Sequence, residues 1–588
     1  MTTFSVVDYV LFALMLCISG AIGVYHVIRN KNEEEQSFLL ANQNISLIPI
    51  AISLFVTFLS AIGILGFTGE VYTFGFSYIL FFLAYICVFF ISTFLYIPVF
   101  YKLKVISTNE YLEKRFTLGV RLMGSILFII TCTFYLAIGL FAPALAMDAV
   151  SDLPIVVSVV ITGFVCIFYT SLGGFRAVVW ADVFQGFVIV VGMIAIFITG
   201  LLEVGGFRNV WRINKEMKRL EVFNFDPDPT TRTTFWTLFV GGTFTLLFPW
   251  SVSQLSIFFW HTAFINTRNP MIYNTLVTLS LLGAMFICTA ATVIFTAFCC
   301  IDGLIIFAVY HNCDPARNKQ IATNDQILPY FVVDKLGHLT GVPGLFISAI
   351  FSGALSTISS GINSVTAVIL EDIVKKINKN ISDFRATCIS RIISAVYGIV
   401  VILGAICLIY SNAPLLVQLT GSLIGITAGP LLGLFTLGML SKKATWKGAY
   451  IGTVSSLIFV GWIYVGSIYY PPISERPPVS IDGCDVGNVF NGTNGLRNKI
   501  SPFKNMTVSY RNPLAKFYGL SFFYYGAVGL FVTIIIGYVF SVILAIWDEE
   551  QVIMDDDLLF EFHNLFKRKT EKMIPREYEE SLVKTSRL

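Results

Sequence analysis

The stretch Ile50-Ala-Ile-Ser-Leu-Phe-Val-Thr-Phe-Leu-Ser-Ala-Ile-Gly-Ile-Leu-Gly66 decides the architecture. It is almost wholly apolar, and with its flanks it reaches the 20 or so helical residues that a bilayer core requires. Its polar residues are not scattered. The hydroxyls of Ser53, Thr57 and Ser60 recur at i, i+4 and i+7 and so share one helical face, and Gly63, Gly66 and Gly69 follow. Small residues of this kind serve either close helix packing or an unwound segment whose freed carbonyls can replace a cation's water.

Outward from this run the same apolar texture repeats. Roughly thirteen segments reach membrane-spanning length, near residues 9–28, 47–68, 76–100, 122–147, 153–172, 183–202, 235–259, 272–300, 344–370, 392–410, 415–440, 448–469 and 520–547. The 588-residue chain is 56% hydrophobic and only 13% charged, with a mean hydropathy of +0.78. A soluble domain carries about 25% charge, so a water-soluble protein is excluded and an all-α polytopic membrane protein in a lipid bilayer is expected. The net charge of +3 comes from short Lys and Arg clusters between apolar runs, which argues against a nucleic-acid partner.

Those clusters set an orientation. The first run has no Lys or Arg before it and Arg29 and Lys31 just after it, as in an uncleaved anchor with its N-terminus outside. Lys102, Lys104, Lys114, Arg115 and Arg121, then Arg176, Arg268, Lys375, Lys376 and Lys442 all fall on alternate connections, which are then cytoplasmic. An odd number of spans leaves the C-terminal tail inside. The outward segment 471–516 contains the sequons at Asn491 and Asn505, candidate glycosylation sites. Cys313 and Cys484 also fall outside, where either a disulfide or two free thiols would fit.

Polarity inside the membrane marks two more spans. The seventh contains Gly241-Gly242 and then Pro249 before Ser251, Ser253 and Gln254, so it reads as an interrupted partner of the second. The ninth contains Ser352-Gly-Ala-Leu-Ser-Thr-Ile-Ser-Ser-Gly-Ile-Asn363, in which Gly353, Ser356, Ser360 and Asn363 follow one face, flanked by Thr357 and Ser359. Na⁺ is a hard cation, and hydroxyls with carbonyls suit a site that binds and then releases it. The competing reading is hydroxyls bonding back to their own helix. Asp182, at the inner mouth of the sixth span, is either an ion ligand or the structural partner of Arg176.

Together these segments resemble the sodium/solute symporter family over nearly the whole chain. Phe168-Tyr-Thr-Ser-Leu-Gly-Gly-Phe-Arg-Ala-Val-Val-Trp-Ala-Asp-Val-Phe-Gln185 looks like its signature, and the ninth-span motif looks like its sodium-binding helix. The resemblance implies about 13 helices with a five-helix inverted-repeat, leucine-transporter-like core. The layout is then 1–46 for an extra helix and first cytoplasmic loop, 47–202 for the first repeat, 203–234 for an extracellular loop and 235–440 for the second repeat. Residues 441–547 supply two more helices with a glycosylated loop, and 548–588 a cytoplasmic tail.

By the same resemblance one Na⁺ falls on the backbone carbonyls of Val56, Leu59 and Gly353 with the hydroxyls of Ser356 and Thr357. A second falls on Asp182, Ser359 and Ser360. The substrate site is expected on Thr57, Ser60, Gly63, Phe141 and Gln254, between the second, fourth and seventh spans. The stretch from Ser60 to Gly75, with Phe141-Ala-Pro-Ala-Leu145, looks like the monocarboxylate, multivitamin and iodide branch. Gly63 and Phe141 stand where the iodide transporter has Gln and Tyr, and the sugar branch has Asn and His where this chain has Phe58 and Gly63.

The expectation is Na⁺-coupled import of a small organic anion at the plasma membrane, not an enzyme. The alternatives are an inorganic anion such as iodide, or a substrate-gated sensor or ion-leak protein on the same scaffold. The ending Thr585-Ser-Arg-Leu588 matches what a PDZ domain captures as an added strand.

Overall fold

In hydrocarbon a backbone amide finds no water, and a helix satisfies its polar groups within itself. The computed structural model describes residues 4–29, 47–103, 107–151, 153–256, 270–411, 415–472, 474, 476–484, 513–547 and 558–560. Its principal helices are α1 (Val6–Arg29), α2 (Leu47–Phe74), α3 (Phe81–Ile91), α4 (Leu118–Val150), α5 (Ile155–Val204), α6 (Phe207–Glu216) and α7 (Gly242–Ser251). They continue with α8 (Pro270–Tyr310), α9 (Ile327–Leu336), α10 (Val342–Val368), α11 (Asp383–Ile409), α12 (Leu416–Leu440), α13 (Trp446–Tyr469) and α14 (Tyr525–Trp547).

Among the described residues, 11 helices are long and apolar enough to cross a membrane. Two features separate this number from the thirteen runs of the sequence. The fifth and sixth runs form the single 50-residue α5, divided at Gly174, whose φ of 60° and ψ of −167° interrupt the helix. The seventh run is short: α7 ends at Ser251, Val252 and Ser253 leave the helix, and residues 257–269 lie outside the described set.

The core is built around α10. Every residue from Phe346 to Val368 is buried, between α5 on one side and α2 and α4 on the others. At the periphery α11 and α13 expose Ile392, Val396, Leu403, Ile458 and Val465, the side chains expected against lipid. Close approach in the core uses small residues. A Cβ on Gly66 would meet Val417 Cγ2 at 2.8 Å, and one on Gly241 would meet the Phe523 carbonyl oxygen at 2.8 Å. For these glycines packing, not unwinding, explains the residue type.

The break in α2 lies instead at Ser60, with φ 48° and ψ 155°. A non-glycine residue in this region costs about 1–3 kcal/mol and persists where its surroundings impose it. Cys313 and Cys484 form a disulfide with a Cα–Cα distance of 5.0 Å. The sequons at Asn491 and Asn505 and the ending Thr585 to Leu588 lie outside the described residues.

Candidate ion and substrate site

The break at Ser60 interrupts the regular i to i+4 ladder and turns carbonyls of α2 toward neighbouring helices. Opposite it, α10 presents its hydroxyls. Thr357 Oγ1 reaches the Thr57 carbonyl at 2.8 Å and the Gly353 carbonyl at 3.0 Å. Thr57 Oγ1 lies 3.4 Å from Ser356 Oγ and 3.1 Å from Ser360 Oγ. Gly353 makes this approach feasible, because a Cβ there would sit 3.2 Å from the Ala61 nitrogen and 3.3 Å from the Ser60 carbonyl carbon. The α2 carbonyl that meets Thr357 belongs to Thr57, the residue after Val56. Val56 and Leu59 are both buried beside it.

Asp182 joins this cluster from α5. It is fully buried, not exposed at a mouth, and its partners are hydroxyls: Ser53 donates to Oδ2, and Ser356 is within hydrogen-bonding reach. Its Oδ1 has no hydrogen-bond partner among the described residues. Ser359 Oγ donates to the Ser356 carbonyl at 3.0 Å, so its hydroxyl is turned back along its own helix. Oxygens of Thr57, Gly353, Ser356, Thr357, Ser360 and Asp182 thus converge from three helices. Hydroxyl, carbonyl and carboxylate oxygens of this kind suit a hard cation. No cluster of His, Cys, Asp and Glu suited to a transition metal occurs among the described residues.

On the other side of the break is an aromatic wall. Phe58 stacks on Trp250 of α7, with ring centroids 4.9 Å apart and an interplanar angle of 14°. Tyr85 of α3 meets the same indole edge-on at 6.0 Å. Ser60 lies within hydrogen-bonding reach of Tyr135 on α4, and Phe141 is buried further along that helix. Near Gly63 there is room: an added Cβ meets nothing closer than Phe67 of its own helix, at 3.5 Å.

Gln254 is not brought to this wall. Its Oε1 accepts from the Thr108 amide at 2.8 Å, in the loop that precedes α4. The aromatic residues Trp250, Tyr85 and Tyr135 were missed from sequence, because an aromatic in a membrane helix gives no sign of whether it meets lipid or a partner helix.

Polar clusters tie the core helices together toward both ends. At the α12 N-terminus Arg232 pairs with Glu70 of α2 and donates to Gln418 Oε1 at 2.6 Å, while Asp325 Oδ2 accepts the Leu416 amide at 2.8 Å. At the opposite end Asp372 pairs with Arg121 of α4 and accepts from Ser107, Asn109 and Ser125.

A broken apolar helix facing a hydroxyl-bearing one, inside a bundle of this size, agrees with the comparisons to known proteins. The model of the sodium:solute symporter family matches residues 38–455. The chain belongs to the sodium:solute symporter family. Na⁺ is therefore its coupling ion. Among its relatives in the family, sodium-coupled monocarboxylate transporter 1 of Homo sapiens is 36% identical over 578 residues, covering 96% of this chain and 92% of its own. Sodium-coupled monocarboxylate transporter 2 of Homo sapiens is 35% identical over 545 residues, covering 92% and 84%. The sodium-dependent multivitamin transporter of Oryctolagus cuniculus is 36% identical over 543 residues, covering 92% and 83%. The symporter fold is shared with a solved Na⁺-coupled sialic acid symporter at a TM-score of 0.70 and 24% identity, covering 92% of this chain and 98% of that one.

Proposed function

We propose that this symporter imports a small monocarboxylate or vitamin-like organic anion with Na⁺ across the plasma membrane. The observation that carries the reading is the break of α2 at Ser60 opposite Ser356 and Thr357. One Na⁺ binds carbonyls of α2, among Val56, Thr57 and Leu59, together with Gly353, Ser356 and Thr357. A second binds Asp182 with Ser359 and Ser360. The ions order the broken helix, and the anion then binds between α2, α4 and α7, against Thr57, Ser60, Gly63 and Phe141. The wall of Phe58, Tyr85 and Trp250 supports a short apolar body with one charged end, as does the match to monocarboxylate and multivitamin transporters.

The repeats span 47–202 and 235–440, with the chain's N-terminus outside. The Cys313–Cys484 disulfide supports that orientation, since both residues then lie in an oxidising compartment. With two Na⁺ per monocarboxylate one net charge moves inward, adding about 2.3 kcal/mol per 100 mV of membrane potential. The test is uptake of labelled lactate, butyrate, nicotinate, biotin and iodide in Na⁺ and then in choline. Na⁺-dependent accumulation of at least one organic anion is expected. Substrate-evoked current without accumulation would replace this reading with a sensor, and accumulation of iodide alone would replace the substrate class.

A further inference from the structure

The polar side chains of α10 sort into three groups. Ser348 bonds the Gly344 carbonyl, Ser364 the Ser360 carbonyl, and Thr366 both the Ile362 carbonyl and Ser394. Ser356, Thr357 and Ser360 face the oxygen cluster at Thr57, and Ser359 bonds the Ser356 carbonyl. Among the described residues Ser352 and Asn363 have no hydrogen-bond partner, and in Asn363 this holds for both Oδ1 and Nδ2. The two cases differ chemically. A serine hydroxyl can swing onto a carbonyl of its own helix. A planar amide can do the same only through Nδ2, as Asn214 does onto the Val210 carbonyl at 2.8 Å, while its Oδ1 meets no free backbone N–H in mid-helix, and Asn363 satisfies neither its two donor hydrogens nor its acceptor. Asn363 is 1% exposed, so solvent does not relieve it.

Its position is as informative as its isolation. Asn363 lies on the face of Ser356 and Ser360, about 4.5 Å further along the helix axis, toward the end that carries Asp372 and the basic connections. Asp182, with its own unpartnered Oδ1, faces the same cluster. An amide oxygen is a neutral, hard ligand, suited to hold Na⁺ briefly without trapping it.

We propose that Asn363 is a transient Na⁺ ligand on the release path, taking the ion from Ser356 and Thr357 as the Asp372 end opens. This rests on the orientation and Na⁺ reading given above. Asn363 acts in a state other than the one described, and the price of its burial here is recovered when ion or water reaches it.

The experiment is paired influx and efflux in proteoliposomes with two variants. Asn363→Leu, nearly isosteric and without an oxygen, is expected to keep the external Na⁺ half-saturation within about twofold of wild type. Its maximal influx should fall by tenfold or more, and its internal Na⁺ half-saturation for efflux should rise by fivefold or more. Asn363→Asp keeps the oxygen and adds charge, so internal Na⁺ should bind at least fivefold more tightly, with slowed release. Internal half-saturation unchanged in Asn363→Asp overturns the proposal, as does wild-type influx in Asn363→Leu with a raised unfolding temperature. The latter would mark Asn363 as a packing defect. A wild-type chain with no Na⁺-dependent accumulation would remove the functional reading and this inference with it. Normal wild-type coupling with unaffected variants removes the inference alone.

Discussion

Thr357 Oγ1 sits between two carbonyl oxygens, those of Thr57 and Gly353, and a cation entering there would draw all three oxygens onto itself. Removing one ligand oxygen from such a site costs roughly a factor of ten in ion affinity. Thr357→Ala and Ser356→Ala should therefore raise the Na⁺ concentration for half-maximal uptake about tenfold at normal surface expression. An unchanged Na⁺ dependence in both would defeat the assignment. Asp182 is held by the hydroxyls of Ser53 and Ser356. Asp182→Asn should bring the Na⁺ Hill coefficient toward one, whereas restored uptake in the swapped pair Asp182→Arg, Arg176→Asp would favour a structural ion pair.

Asp325, in the loop between α8 and α9, gives a pH dependence with a definite sign. Burial, aided by Glu70 and opposed by the Leu416 amide and Arg232, pushes its carboxyl up to about 7. An unfolded Asp titrates near about 3.9, so between the two values the folded protein holds a proton that the unfolded chain has lost. Stability then falls as pH rises through that window and is flat above about 7. From pH 8 to pH 6 the protein should gain roughly 1 kcal/mol, seen as a higher unfolding temperature in detergent, and Asp325→Asn should abolish the gain. At this scale the sequence was readable where side chains repeat on one face, as with Ser53, Thr57 and Ser60. It was silent on Gln254, whose partner Thr108 lies far away in the chain and is fixed only by tertiary folding.

Among the elements, α5 shows why span counting from sequence works and where it blurs. Hydropathy separates its halves around Arg176, while the backbone turns at Gly174, where φ and ψ fall in a region open essentially to glycine alone. Gly174→Ala should cost about 1–3 kcal/mol and reduce the folded fraction at the surface. Normal expression with an unchanged melting curve would show that the turn can relax. Gly173, by contrast, is needed for contact, since its Cβ would lie 3.3 Å from the Gly23 Cα on α1. The interruption of α2 was legible as an event but not as a place. Glycines advertise flexibility, and the residue that leaves the helix is Ser60, whose conformation is imposed by its neighbours. In α10 the hydroxyl stripe was visible in full, and what could not be read was which hydroxyls would turn back along the helix, as Ser359 does.

At the scale of the molecule, the Glu70–Arg232–Gln418 group ties α2 to α12, and the Asp372 group ties the end of α10 to α4 at the opposite end of the bundle. Alternating access requires each to loosen in turn, with the oxygens at Ser60 and Ser356 between them. The Cys313–Cys484 link is separate from both. Its sequence separation of 171 residues restricts the unfolded chain by about 5 kcal/mol in the chain-entropy view. Reduction, or Cys313→Ser, should lower the unfolding temperature, and no change would assign the bond no stabilising part. The link also alters the topology of the polymer. Covalently the chain is not a line but a closed ring with two tails, and α9, α10, α11, α12 and α13 lie on the ring while α2 and α5 lie on a tail. The oxygen cluster is the seam between them, so a single backbone cut between Cys313 and Thr357 leaves two pieces that are held by the disulfide and that meet across the seam at Thr57, Asp182 and Thr357.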